Sequence, residues 1–323
     1  MNPKIDQSLP HNVGRVSVIM PARNRIEFLQ EAVSSVASQS YQNIELIVID
    51  DGSDPPIEQV ALDTWCTRRS PDDLIIKRIS EGNGNRARNA GIALATGQFI
   101  QFMDSDDLLD SKKIECQAER LHEDLELDGV ICQVQLFDGN GRSGLWRSQL
   151  QGGIPTLKDF IGASCDWQTM APLWRRRLFD AGLRWDPEIS CHQDWVFHLH
   201  ALSSGARLLL DFKVLAFYRM PEEGHVSWNM SDPVKLQQRI VVHRRSLDLL
   251  RRAGIIEAEI YRHQWWRIEQ TKSDAINRQD FEAYFDALWV QFHCDKTLRG
   301  QTKTVASFLK VNWLLMKICF RRF

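Results

Sequence analysis

From residue 15 onward, short β-rich runs alternate with amphipathic helical patterns, and this order constrains the chain more than any other feature. VSVIM (16–20) has the length and apolarity of a buried strand, and EFLQEAVSSVAS (27–38) places Phe28, Leu29, Ala32, Val33 and Val36 on one helical face. IELIVI (44–49) reads as a second strand, followed by the turn DDGSDPP and a helix expected over 57–69. LIIKRI (74–79) is a third strand. A loop rich in Gly and Asn (81–85) then opens a helix ending at Thr96 and Gly97, and QFIQFM (98–103) is a fourth strand. A β-α-β-α-β order implies an α/β fold, Rossmann-like, with a mainly parallel sheet and right-handed crossovers. In such sheets ligands sit beyond the carboxyl ends of the strands. Those ends carry residues 21–25, 50–54 and 104–107.

Between about residues 128 and 228 the pattern is mixed α+β, with strands expected near 130–137, 168–174 and 214–218 and a helix near 194–203. From Asp232 it turns helical and basic, with helices expected over 235–252, 257–272, 281–292 and 304–320. The expected division is therefore 1–228 for an α/β unit and 229–323 for a helical C-terminal region, the boundary falling near 221–233. The net charge of −2 conceals the same division: 17 basic and 9 acidic residues from Lys235 onward give +8, while 23 basic and 33 acidic residues before it give −10.

With 43% hydrophobic and 25% charged residues the chain has ordinary globular usage, which excludes disordered and collagen-like classes. The seven cysteines form no CxxC pair and no metal-ligand spacing, which points to a reducing, cytoplasmic setting. The N-terminus MNPKIDQSLPHNVGR lacks the apolar centre of a signal peptide, and the sequence holds no run of about 18 apolar residues, so neither export by that route nor a spanning helix is expected.

Two carboxylate groups fall at the strand ends. An Asp pair after a strand, here Asp50 and Asp51, can accept hydrogen bonds from a base or ribose. An Asp-x-Asp further on, here Asp104, Ser105 and Asp106, can hold a divalent cation through hard oxygen donors and so stabilise a departing diphosphate. Taken singly, each cluster also reads as a solvated turn or a helix cap, with Asp107 or Ser111 capping the next helix. Their occurrence on successive ligand-side loops favours the binding reading.

VSVIMPARNR, YQNIELIVIDDGSD, NGNRARNAGIALATG and FIQFMDSDDLLD, taken as an ordered set, resemble family 2 glycosyltransferases of the GT-A fold. The resemblance spans about the first 110 residues, is looser over the next hundred and is absent from the helical end. It implies inverting transfer of a sugar from a nucleotide diphosphate donor, most often a UDP-sugar, to a hydroxyl of a saccharide or lipid-linked acceptor. Carried over by position, Pro21, Ala22 and Arg23 would line the nucleoside, and Asp51 with Asp50 would meet the base or ribose. Arg88 would brace the nucleotide-side loop or pair with the acidic strand ends. Asp104 would contact ribose or metal-bound water, and Asp106 would bind Mn²⁺ or Mg²⁺.

Direct displacement also needs a proton acceptor opposite the leaving group. The family places it in a Glu-Asp pair at the start of a helix about ninety residues after the metal motif. The matching stretch is CHQDWVF (191–197), which makes Asp194 the base and puts Gln193 where the Glu usually stands. A helix dipole would also stabilise Asp194 as a first-turn anion, so a capping role is the alternative. In some relatives a loop histidine joins the metal; His225 occupies such a segment and reads either as a ligand or as a surface residue. His192, His198 and His200 read equally as packing residues. Of the eleven tryptophans, Trp167 and Trp195 bracket the expected base and are the acceptor-side candidates, with core packing as the other reading.

The last helical stretch combines Trp313 and a broad apolar surface with Lys310, Lys317, Arg321 and Arg322. That composition suits packing on neighbouring helices or a second subunit, and also peripheral contact with the inner face of an anionic membrane, as polysaccharide assembly on a lipid carrier would use. No nucleic-acid-binding module accompanies the basic residues. Two other functions fit parts of the pattern: a non-catalytic nucleotide-sugar-binding assembly subunit, and a sugar nucleotidyltransferase. The second would carry a glycine-rich activating loop that PARNR lacks.

Overall fold

The continuous apolar runs that open the sequence become the middle of a sheet. β1 (Val16–Ala22) is buried at every position but Pro21, and β2 (Ile44–Asp51) is buried throughout. Strands covered on both faces require such runs. The structure is a computed structural model, and the residues described are 14–138, 141–146, 152–162, 166–220, 233–255 and 257–299. The chain falls into two units that interleave in sequence. One comprises Met1–Pro155, Ser164–Glu188 and Gln193–Gly224; the other comprises Thr156–Ala163, Ile189–His192 and His225–Phe323.

In the first unit β1 pairs in parallel with β2 and with β4 (Phe99–Phe102), and β2 pairs in parallel with β3 (Leu74–Ile79). The crossovers are α1 (Ile26–Ala37), α2 (Glu58–Trp65) and α3 (Gly84–Leu94). The remaining strands are β5 (Leu108–Leu109), β6 (Gly129–Asp138), β7 (Gly141–Leu145), β8 (Pro172–Arg175) and β9 (Leu208–Arg219). The sheet order is β3-β2-β1-β4-β8-β6-β9-β5, with β7 on β6. The parallel half is the expected Rossmann-like one. Beyond β4 the sheet becomes mixed: β8 runs antiparallel to β4 and β6, whereas β6 and β9 are parallel. This is the α+β character expected after residue 128. Three further helices complete the unit's main chain: α4 (Lys113–Glu123), α6 (Arg177–Asp180) and α7 (Gln193–Ser203), with α5 (Leu157–Ile161) assigned to the other unit.

Specific residues hold α3 and β4 against β1. A Cβ on Gly91 would collide with the Ile19 side chain, and one on Gly97 would lie 2.6 Å from both the Arg15 carbonyl and Ser17 Oγ. Glycine lets these backbones approach. Beside them the buried Glu45 carboxylate accepts hydrogen bonds from Ser17 Oγ (2.5 Å), Thr96 N (2.6 Å) and Gly97 N (3.2 Å). A buried charge is tolerated only when paired or hydrogen-bonded in this way. The helix expected to reach residue 69 ends at Trp65, because Arg69 turns back to donate to the carbonyls of Ala37, Gln39, Tyr41 and Gln42. Neither Asp107 nor Ser111 caps α4, whose N-cap is Lys112 without a side-chain bond.

The second unit contains α8 (Pro233–Arg252), α9 (Ala258–Asn277) and α10 (Phe281–Arg299), matching three of the four helices expected there. The fourth, over 304–320, lies outside the described residues. The core of this unit is partly polar: His243 Nε2 meets Thr271 Oγ1 at 2.9 Å and Gln264 Nε2 meets His243 Nδ1 at 3.1 Å. Burial pushes His243 down to about 3, so the ring stays neutral. Ser190 N donates to Gln238 Oε1 on α8 at 3.0 Å, which ties the 189–192 segment to these helices. No helix among the described residues is long and apolar enough to cross a membrane.

Candidate functional site

The carboxyl ends of β1, β2 and β4 and the first turns of α3 supply the nucleotide-side residues expected from the sequence. At the end of β1, Ala22 is registered against Asp50, Pro21 is half-buried and Arg23 is exposed beside Gly82. The two aspartates after β2 organise loops. Asp50 accepts from Ser53 N (2.8 Å) and from Arg78 Nη1 (3.2 Å). Asp51 accepts from the backbone N–H groups of Glu81, Gly82 and Asn83 at 2.8, 2.8 and 2.7 Å. A carboxylate offers about four acceptor positions, so Asp51 retains capacity for one more donor.

Asn83 then caps α3, its side chain accepting from Asn85 N and Arg86 N. Arg88, one turn further, is nearly buried and connects three elements. Nη2 donates to Asp104 Oδ1 at 2.6 Å, Nη1 donates to Gln193 Oε1 at 3.0 Å, and the guanidinium lies 4.5 Å over the Trp185 ring. Arg88 thus pairs with an acidic strand end, the second of its two readings.

Asp104 and Asp106 each pair with an arginine side chain, Arg88 and Arg25 respectively, the latter at 2.6 Å, and Asp107 is held by the backbone N–H of Arg219 at 2.9 Å. Burial, reinforced by the Asp104 charge, still raises Asp106 above its ordinary range, with Arg25 opposing the rise. Asp107 is raised more strongly, again first by burial and then by Asp106 and Asp104.

Asp194 stands in the first turn of α7 and accepts from Trp195 N at 2.8 Å. Its pKa is raised above 3.8 by burial, an effect opposed by the Trp195 hydrogen bond and the Arg88 charge and reinforced by Asp104. Its backbone position agrees with the first-turn alternative, and the charges of Arg88 and Asp104 act on it. Gln193 occupies the place of the usual Glu and supplies Arg88 with a neutral acceptor.

Among the aromatic candidates, Trp195 is half-buried and Trp167 is buried, its ring 5.2 Å from that of His198. His198 is itself buried and pushed down to about 3, which agrees with the packing reading. His225 lies outside the described residues.

Three asparagines to which the sequence reading gave no role tie α3 to the 185–187 segment. Asn83, Asn85 and Asn89 donate through their side-chain amides to the carbonyls of Pro187, Asp186 and Trp185 at 2.8, 2.7 and 2.8 Å. Asn89 Oδ1 also accepts Trp185 N at 3.0 Å. Trp185 stacks on Phe197 of α7 with ring centres 4.1 Å apart. The signal was present in NGNRARN, since asparagine is a weak helix former and three in seven positions call for a side-chain role.

The parallel nucleotide-fold half followed by a mixed half is the architecture of GT-A glycosyltransferases. Staphylococcus aureus TarS residues 1–349, solved in complex with UDP, superposes with a TM-score of 0.68 at 17% identity, covering 88% of this chain and 83% of that one. The mannosyltransferase PcManGT from Pyrobaculum calidifontis, solved with GDP-Man and Mn²⁺, gives 0.54 at 14% identity over 94% and 81% of the two chains. Residues 17–182 match the family described as Glycosyl transferase family 2, and the chain belongs to that family. The uncharacterized glycosyltransferase EpsJ of Bacillus subtilis is 29% identical over 215 residues, which is 63% of this chain and 60% of EpsJ. Across this and other curated relatives the aligned stretch covers 15% to 60% of their own length.

Proposed function

We propose that this glycosyltransferase moves a sugar with inversion from a nucleotide diphosphate sugar, a UDP-sugar first among donors, to a hydroxyl of a saccharide or lipid-linked acceptor. The observation carrying the proposal is the placement of Asp194, a carboxylate with a raised pKa at the head of α7, beside the Arg88–Asp104 pair. In the proposed step the acceptor oxygen bonds to the anomeric carbon, the carbon–phosphate oxygen bond breaks, and the acceptor proton passes to Asp194. A base with a raised pKa is better matched to a proton released near neutral pH.

On the donor side Pro21, Ala22 and Arg23 line the nucleoside, and Asp51, with Asp50 shaping the turn, offers its remaining acceptor position to the base or ribose. Arg88 holds Asp104 in orientation. The donor set fits a divalent cation: Asp104 and Asp106 present hard oxygens on one loop. No group of three or more His, Cys, Asp or Glu side chains forms a metal cage among the described residues. Mn²⁺ or Mg²⁺ would therefore be held by one or two carboxylates together with the diphosphate. When bound there, the cation supplies Lewis-acid stabilisation of the leaving diphosphate. His225 is a further proposed ligand.

Trp195 and Trp167 are assigned to the acceptor side, Trp167 acting from beneath the surface through the aromatic layer. Residues 1–228 form the proposed catalytic region. The basic helices of 229–323 are assigned to self-association or peripheral membrane contact, in a cytoplasmic enzyme of polysaccharide assembly. The test is a panel of nucleotide sugars with Mn²⁺ present, read by thermal shift and by nucleotide release. Tight ligands raise the melting temperature in proportion to the logarithm of concentration over dissociation constant. Donor binding with no transfer to any acceptor, and no donor hydrolysis, would overturn the assignment in favour of a binding subunit.

A further inference from the structure

The two carboxylates of the Asp-x-Asp motif are paired unequally. Asp104 is held by Arg88, whose side chain is 8% exposed and fixed by Asn85, Gln193 and Trp185. Asp106 is held by Arg25, whose side chain is 44% exposed. Arg25 is the N-cap of α1 with φ 56° and ψ 50°, and Asn24 before it also has φ 56°. Two successive left-handed residues without glycine are costly unless surrounding contacts hold them. Here Asn24 N donates to Ser53 Oγ at 2.8 Å, and Asn24 Oδ1 accepts Asp54 N at 2.9 Å. The turn is thus fastened to the loop after β2 and delivers Arg25 across 81 residues of sequence to Asp106.

We infer that Arg25 is a resident cation that covers Asp106 and is exchanged for a divalent metal when a nucleoside diphosphate binds. A competing anion can draw the Arg25 guanidinium away from Asp106. The diphosphate is such an anion: Arg25 can turn from the carboxylate to phosphate oxygens, with which it forms equally favourable charge-assisted bonds. Asp106 is then open to a cation at the moment the diphosphate supplies the cation's remaining oxygens. Metal and nucleotide affinities become coupled, and by linkage each raises the other by the same factor. This inference rests on the reading of Asp106 as the metal carboxylate.

The test measures Mn²⁺ binding to the full chain by electron paramagnetic resonance, with and without UDP. Arg25→Asn suits the left-handed backbone, Arg25→Gln removes the charge while keeping a polar end on a longer stem than Asn, and Asp106→Asn reports on the metal site itself; melting curves establish that each variant is folded. Loss of an exposed ion pair predicts that both Arg25 variants bind Mn²⁺ alone roughly two- to fivefold more tightly than the parent, with a smaller further gain on adding UDP. Asp106→Asn binds it more weakly in both conditions. Unchanged or weaker Mn²⁺ binding in the folded Arg25 variants, with Asp106→Asn still impaired, overturns the role of Arg25 alone. Parent-like binding by Asp106→Asn overturns the metal assignment and this inference with it.

Discussion

Arg88 donates to Asp104 at 2.6 Å with one terminal nitrogen while the other reaches Gln193 on α7. One side chain therefore sets the distance between the acidic loop and the helix that carries Asp194. Replacing it by lysine keeps the charge but loses the planar fork. Arg88→Lys should lower kcat/KM by about ten- to hundredfold, the scale of one or two hydrogen bonds to charged groups. Steady-state kinetics on the variant checks this; a loss below twofold would remove Arg88 from the positioning machinery.

Asp194→Asn should retain UDP binding and lose kcat by roughly 10²- to 10⁴-fold, the usual worth of a general base. In the parent enzyme kcat/KM should fall with decreasing pH through a value above 3.8, because burial raises this carboxyl. The same shift affects stability. From 3.8 up to the raised native value, the native state keeps a proton that the unfolded chain has released, so stability declines as pH rises across that window. Asp194→Asn should therefore melt higher than the parent at pH 7. A lower melting temperature would contradict the raised pKa.

Asn89 exchanges two hydrogen bonds with Trp185, at 2.8 and 3.0 Å. Asn89→Ala leaves a buried-side carbonyl and N–H without these partners and should cost about 1–3 kcal/mol in unfolding free energy. Because Trp185 underlies both Arg88 and Phe197, kcat should drop more than UDP affinity. Denaturant titration alongside kinetics separates the two effects, and equal losses in kcat and affinity would count against this reading.

Lys113 is fully buried, bonded to Gln101 and Gln117, and burial lowers its pKa from 10.5 to about 8. Between about 8 and 10.5 the unfolded chain holds a proton that the native state has released, so this group makes stability rise with pH across that window. A shift of this size corresponds to about 3 kcal/mol. The difference in unfolding free energy between parent and Lys113→Met should vary with pH over that window and be flat below pH 7. A constant difference from pH 7 to pH 10.5 would show that the lysine does not titrate there.

The parallel half of the sheet was legible because β1 and β2 are buried on both faces, a condition that only uninterrupted apolar runs satisfy. The start of α7 and the carboxylates at the strand ends were legible for a similar reason, since short-range spacing defines them. What escaped is long-range. The side chains facing Asp104 and Asp106 come from Arg88 and Arg25, Asp107 accepts the backbone N–H of Arg219, and 81 residues separate Arg25 from Asp106. The two-residue strand β5 owes its existence to pairing with β9, and no local pattern of two leucines announces it. Trp167 had two readings from its place on one side of the expected base, acceptor contact or core packing, and its long-range contact with His198 could not be read from spacing.

The segment Ile189–His192 belongs to the helical unit, yet Gln193 and Asp194 follow it immediately in the other. Its hydrogen bond to Gln238 of α8 means that the four residues leading to the proposed base are anchored by helices encoded dozens of positions later. A graft that swaps the C-terminal region at a single junction would therefore transplant the helices and leave behind the short strap, and also the 156–163 segment, that belong to the same unit. Modular recombination of such enzymes would have to move three separate stretches of chain together.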